Sequence, residues 1–192
     1  MTLKDFDRHS MNEQIALGTN LIVPIIQNLS QKRLRRLSPE IQLKSLKQTL
    51  YLMENTDAEI CKDLSFGSNN VDPTAQNIQK FNLAVLQVFN NEELRKLYRI
   101  QRMAIFAEIN DYPKGKELTA HETAFAEKVF DKALRKEFDK LTPNQQQKLI
   151  RVTEAPEMAS DKEACLYGAL ILRALTNAPG VGGEWARLNM LL

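Results

Sequence analysis

Residues 160–175 read SDKEACLYGALILRAL, and this stretch decides the fold. Ser160 can cap the free N–H groups of a first helical turn, and Glu163, three residues later, can bond back to the cap. The twelve residues from Ala164 to Leu175 then carry a single charge, at Arg173. Ala164 and Gly168 are four residues apart, so they share one side of the helix and admit a close neighbour. The stretch predicts a central helix that other helices surround.

The same start signal recurs along the chain. Seven times a small polar residue precedes either a proline by one position or a Glu/Gln by three, ahead of apolar residues spaced three and four apart. No stretch alternates in the manner of a half-buried strand. We predict an all-α, single-domain, multi-helix bundle over residues 1–192, with about 7–9 helices and hydrophobic central helices near 91–111 and 161–176. The seven pairs are Ser38 with Pro39, Thr56 with Glu59, Asp72 with Pro73, Asn90 with Glu93, Thr119 with Glu122, Thr142 with Pro143 and Gln145, and Ser160 with Glu163.

The pattern also gives approximate helix bounds. We expect a first helix from about Ser10 that kinks at Pro24, and further helices at 39–55, 57–65, 73–89, 91–111, from 119 onward, and 143–153. Residues 110–115 read as a loop, in which Gly115 can take positive φ. Residues 178–192 hold three of the seven glycines and the only tryptophan, and we expect a flexible or docking C-terminal tail there.

Composition excludes several classes of protein. The 26 basic and 24 acidic residues leave a net charge of +2, so no strong global field favours nucleic acid or anionic lipid. Residues 1–10 are polar and no apolar run approaches the length of a membrane span, so we expect a cytoplasmic protein without a secretion signal. Cys61 and Cys165 are far apart in partly apolar stretches, and we expect reduced core thiols rather than a disulfide.

Motifs for chemistry are sought and not found. The two histidines, His9 and His121, lack the neighbours that a zinc site requires, since the helix signature begun at His121 and Glu122 ends in Phe125. The loop at 110–115 lacks calcium ligands, and no phosphate-binding glycine run is present. We therefore expect no catalytic residue, no metal and no cofactor, and we lean against an enzyme.

Charge placement is the one positive indication. A basic segment spans residues 32–47, and a second group lies near residue 100, where Arg95, Arg99 and Arg102 share one helix face. These bases either pair with the acidic stretches of the chain or bind phosphates or an acidic partner. The residues concerned in the first segment are Lys32, Arg33, Arg35, Arg36, Lys44 and Lys47.

Three functions remain open at this point. The first is a non-catalytic protein that binds another protein, with Trp185, Leu188 and Met190 as apolar anchors in the C-terminal tail. The second is an accessory nucleic-acid-binding protein that uses Lys32, Arg33, Arg35 and Arg36, together with the arginines at 95, 99 and 102. The third is a ligand-binding or enzymatic bundle with a pocket that no motif reveals.

Overall fold

The computed structural model describes residues 34–65 and 75–190, with only the backbone of residues 75–78. These residues form eight α-helices and one 3₁₀ turn, and no strand occurs among them. The all-α prediction is therefore confirmed. The elements are α1 (Pro39–Asn55), α2 (Ala58–Ser65), α3 (Ala75–Val88), α4 (Asn91–Ile109), α5 (Ala120–Phe138), α6 (Pro143–Glu154), the turn Pro156–Met158, α7 (Asp161–Asn177) and α8 (Gly180–Met190).

Several sequence-based expectations lie outside the described residues. They are the helix near Ser10 with its kink at Pro24, the start at Asp72 and Pro73, and the side chains of Lys32 and Arg33.

Four of the predicted starts are confirmed as complete capping boxes. The side chains of Asn90, Thr119, Thr142 and Ser160 each accept a hydrogen bond from the backbone N–H three residues later, and each Glu or Gln at that position bonds back. Ser38 starts α1 through Pro39 alone, without a side-chain bond. Local capping chemistry therefore sets where most of these helices begin.

The start predicted at Thr56 is shifted by one residue. Thr56 ends α1, whereas Asp57 begins α2 by accepting a hydrogen bond from the backbone N–H of Ile60 at 2.9 Å. The two residues are adjacent, and both can cap a helix. The Asp57 carboxylate is the group that reaches the first turn.

The central helix predicted at 161–176 is confirmed as α7. It contacts α1, α2, α5, α6 and α8, and it buries one continuous small-residue and leucine surface. At Gly168 a Cβ atom would lie 2.8 Å from the Cα of Ser65, so the missing side chain lets α2 approach closely. The buried residues are Ala164, Gly168, Ala169, Leu170, Ala174 and Leu175.

The expectation of reduced thiols is wrong. Cys61 on α2 and Cys165 on α7 form a disulfide across a sequence separation of 104 residues. Gly168 explains how, because the close approach of α2 to α7 brings the two cysteines together. One support for the cytoplasmic expectation is thereby removed, since disulfides persist mainly in oxidising compartments.

The C-terminal tail is a helix rather than a flexible turn. α8 packs against α5, and Gly182 lies so close that a Cβ atom there would be 2.7 Å from Cε1 of Phe125. Gly180 has a φ of 60° and starts the helix in the left-handed region that glycine favours. The glycines that suggested flexibility serve close packing instead.

Among the described helices, the one near 91–111 has few neighbours, although its composition predicted neighbours around it. α4 packs mainly on α1, and Phe106 and Ile109 are 56% and 71% exposed. The loop that follows is confirmed, but the residue with positive φ in it is Asp111 and not Gly115. Among the described residues, no helix is long and apolar enough to cross a membrane.

Candidate functional site

The outer face of α4 is the candidate site, and the start of the helix fixes its orientation. Asn90 Oδ1 accepts hydrogen bonds from the backbone N–H groups of Glu92 at 2.9 Å and Glu93 at 3.0 Å. The Glu93 carboxylate accepts from the Asn90 N–H at 2.9 Å. This reciprocal cap holds the first turn of a nineteen-residue helix, so the side chains along it keep a regular register.

One side of α4 is anchored in the core. Ile100, Ala104 and Ala107 are buried and pack with Leu37, while Leu34, Ile41 and Met103 close the cluster. This apolar row fixes the helix against the start of α1. The opposite side must therefore face away from the bundle.

That opposite side carries aromatic, aliphatic and guanidinium groups in one stripe. Counting 3.6 residues per turn, its six members fall within an arc of about 100°. We call this stripe the outer face of α4. It consists of Arg95, Tyr98, Arg99, Arg102, Phe106 and Ile109, and all six are exposed.

The three arginines of this face have no acidic partner among the described side chains of residues 34–65 and 79–190. Neighbouring bases do pair: Lys96 Nζ lies 2.6 Å from Glu92 Oε1, which lowers the pKa of Glu92 and raises that of Lys96. Glu92, the acid on α4 that lies next to this row, is therefore engaged by Lys96 and not by the arginines. No described acid occupies these arginine side chains, which can bind an anion or a carboxylate.

The first basic segment behaves differently. Arg36 Nε lies 2.8 Å from Glu108 Oε2, its Nη2 lies 2.6 Å from Asp111 Oδ1, and its Nη1 donates to the Pro113 carbonyl at 3.2 Å. The hydrogen bond with Asp111 is the largest cause that raises the pKa of Arg36. Arg35 donates to the Lys116 carbonyl at 3.4 Å. Both arginines tie the loop after α4 to the start of α1.

Of the basic segment, the described structure also includes Lys44 and Lys47. Lys44 Nζ lies 2.8 Å from Glu40 Oε1 one turn earlier on α1, and Lys47 is exposed. Lys44, Lys47, Arg35 and Arg36 therefore do not form one continuous basic surface.

The three expected anchors of the C-terminal tail differ in how far they are buried. Leu188 is 4% exposed, so its side chain belongs to the core. Trp185 packs edge-on against Phe125 with ring centroids 5.9 Å apart, and Lys116 Nζ lies 4.7 Å from the tryptophan ring centroid. Met190 alone is half exposed. These contacts dock α8 on α5 and leave little of the tail for a partner.

Arg187 is a buried charge that the sequence did not reveal. It is 5% exposed, and its Nη1 donates to the carbonyls of Leu175 at 3.0 Å and Ala178 at 3.3 Å. These carbonyls end α7, where a positive charge complements the helix dipole. Burial lowers the pKa of Arg187, against the opposing charge of Glu184. Arg187 fastens α8 to the end of the central helix.

Glu137 is the second buried charge. Its Oε1 accepts from Lys140 Nζ at 2.6 Å and from Asn177 Nδ2 at 2.9 Å. Burial raises the pKa of Glu137, but these two hydrogen bonds and the nearby charges of Lys140 and Arg173 together hold it below the ordinary value. The carboxylate is therefore ionised, and through Oε1 it joins α5 to the end of α7.

Two features of the described part of the chain bear on its chemistry: its metal-ligating side chains and an open cavity. No group of three or more His, Cys, Asp or Glu side chains there could hold a metal ion. An open cavity of about 420 Å³ lies between α1 and α3, and its only ionisable side chains are Tyr51 and Asp57, the latter already used as a helix cap. The remaining lining residues are Asn55, Thr56, Gln87 and Val88.

Comparisons with known proteins found no match to this chain among family models, curated proteins or solved structures.

Sequence reasoning found half of the outer face of α4. The spacing of Arg95, Arg99 and Arg102 placed them together, as the structure does. Phe106 and Ile109 were missed because the apolar end of this helix was expected to have neighbours around it, and Tyr98 was not considered. Their helical phase relative to the arginines was the signal that could have found them.

Proposed function

We propose that this protein is non-catalytic and acts by binding another protein through the outer face of α4. One observation carries the proposal: Tyr98, Phe106 and Ile109 are 55%, 56% and 71% exposed on the face that also holds three arginines. Tyrosine, phenylalanine and arginine are enriched in protein interfaces, and tyrosine and arginine dominate their binding energy. Contiguous exposed apolar groups rimmed by polar residues are typical of interaction sites.

The proposed surface differs from the one expected from the C-terminal tail. Trp185 and Leu188 are occupied by contacts within the molecule, whereas the outer face of α4 is not covered by any described helix. The arginines would also attract nucleic acid, so the test must separate the two classes of partner.

Site-specific crosslinking in the native host tests the proposal. A photoreactive benzoylphenylalanine would replace Tyr98 on α4 in one strain and Asp131, an exposed residue on α5, in a matched control strain. We expect discrete protein adducts from position 98 that position 131 does not give. Identical adducts from both positions, or adducts to nucleic acid alone from position 98, contradict the proposal.

We keep the cytoplasmic address as a proposal that the cysteine pair can test. A reducing compartment would hold Cys61 and Cys165 as thiols, and an oxidising one would preserve the disulfide. Because Cys61 is fully buried, thiols are trapped with a maleimide in denaturant at the moment of lysis, and the two states then differ in mass. Two labelled cysteines support the cytoplasm, and an unlabelled bonded pair contradicts it.

A further inference from the structure

We infer that the outer face of α4 receives an acidic amphipathic helix from its partner protein, an inference that rests on the proposed function. Three features of the face carry it: its length and shape, the charge of its arginines, and the position of its apolar side chains.

The shape suits a helix. Tyr98, Arg102 and Phe106 are spaced by four and form one ridge of the kind that packs into the groove of a second helix. From Arg95 to Ile109 the face extends for about 21 Å, at 1.5 Å per residue. A partner helix of about four turns would cover it.

The charge calls for carboxylates. Arg95, Arg99 and Arg102 follow an i, i+4, i+7 spacing, so glutamates at the same spacing on a facing helix can meet each guanidinium. Arg36, which holds the loop after α4, has two acids within the molecule, Glu108 and Asp111. This row has none among the described side chains, and an external acidic segment would supply them.

The apolar side chains favour a protein helix over nucleic acid. Phe106 and Ile109 continue the face beyond the last arginine, where a phosphate backbone would leave them exposed. An amphipathic helix satisfies both the apolar and the charged members of the face.

The test uses two synthetic probes. One is a stapled helical peptide of about four turns with glutamate at i, i+4 and i+7 and with leucine and phenylalanine beside them. The other has glutamine in place of each glutamate. Fluorescence anisotropy against the full chain should show the glutamate peptide binding about tenfold tighter, and this preference should fall with added salt.

Matched charge reversals provide the control. Arg95→Glu, Arg99→Glu and Arg102→Glu together should abolish binding of the glutamate peptide, and a peptide with lysine at those positions should bind this variant. Lys128→Glu, Lys132→Glu and Arg135→Glu change the same charge at the same spacing on α5 and should leave binding intact. The lysine-peptide rescue shows that the first variant remains folded.

Four results would overturn the inference. They are equal binding of both peptides, loss of binding in the α5 variant, tighter binding of a single-stranded DNA oligonucleotide through the same arginines, and self-association of the chain that the α4 variant abolishes. If the acidic peptide fails while position 98 still crosslinks to a protein, this inference falls and the proposed function stands.

Discussion

Two helices of this protein present the same row of bases and surround it differently. On α4 the row is Arg95, Arg99 and Arg102, and on α5 it is Lys128, Lys132 and Arg135, with identical spacing. Where α4 places Tyr98 and Phe106 in the same phase, α5 places Asp131 and Asp139. The α5 row is thus interleaved with acids, whereas the α4 row is interleaved with aromatic rings. No ion pair among the described residues joins either row to an acid, so the two rows differ in the residues between the bases.

The difference shows that base spacing alone does not identify a binding surface. A row of bases interleaved with acids is satisfied in water, because each charge has a neighbour and no apolar area is exposed. The same row interleaved with aromatic rings has charges without acidic neighbours between them, and it exposes apolar surface to solvent. The residues between the bases therefore decide whether a helix face is a solvated surface or a site of contact.

The largest effect is expected on the free energy of unfolding, from a comparison of a buried with an exposed apolar side chain. Leu188, on the helix that covers α5, is 4% exposed, and Ile109 on α4 is 71% exposed. Leu188→Ala should lower the free energy of unfolding by about 2–4 kcal/mol because it leaves a cavity. Ile109→Ala should change it by no more than about 0.5 kcal/mol. Urea unfolding measures both free energies. Similar losses of stability in the two variants would mean that the outer face of α4 is as buried as the contact between α8 and α5.

Capping and periodicity explain why so much of the fold follows from sequence. The bond between Ser160 and Glu163 joins residues three apart, so it depends on local geometry alone. The disulfide depends on how closely α2 approaches α7, and the role of Arg187 depends on where α8 ends up relative to the last carbonyls of α7. Such long-range contacts leave no periodic trace.

The same reasoning explains the partial view of the site. The arginine row is a local pattern and was predicted from spacing. The exposure of Phe106 depends on which helices stand beside α4, and a buried helix of the same composition would have the same sequence pattern. For this reason the apolar half of the outer face became visible only in the structure.

Replacing the rings on α4 by the acids found on α5 should have the next largest effect. Tyr98→Asp with Phe106→Asp turns the outer face of α4 into a charge-balanced face like that of α5. We expect binding of the glutamate peptide to weaken by at least about tenfold. The free energy of unfolding should stay within about 0.5 kcal/mol of the wild-type value, since both rings are exposed. Anisotropy and urea unfolding on the same sample separate the two quantities.

The reciprocal substitution tests whether aromatic residues between the bases are sufficient to create a binding site for the glutamate peptide. Asp131→Tyr with Asp139→Phe gives α5 the pattern of α4 around Lys128, Lys132 and Arg135. This variant should gain a second site for the glutamate peptide, seen as a doubled stoichiometry. An unchanged stoichiometry would show that the shape of α4, and not its pattern alone, is needed.

The smallest effect is expected from the acids that start or flank the two helices. The backbone N–H of Thr119 and the Lys116 ammonium lower the pKa of Glu122 to about 2, from an ordinary value of 4.5. Because the folded-state pKa lies below the unfolded one, ionised Glu122 stabilises the protein above about pH 4.5, and this contribution disappears as the pH falls toward 2. Glu122→Gln should therefore be less stable than wild type at neutral pH, and the difference should shrink in acid.

Glutamine is the right replacement because it keeps the capping geometry. At α6 the side chain of Gln145 accepts from the Thr142 N–H at 3.0 Å, as Glu122 does from Thr119 at 2.9 Å. Glu92→Gln on α4 is the control, since its carboxylate is held by the single exposed ammonium of Lys96. The urea midpoint of the Glu92 variant should follow wild type more closely between about pH 5 and pH 2. If the urea midpoint of the Glu92 variant depended more strongly on pH than that of the Glu122 variant, Glu92 on α4 would be the more stabilising carboxylate and the prediction would be wrong.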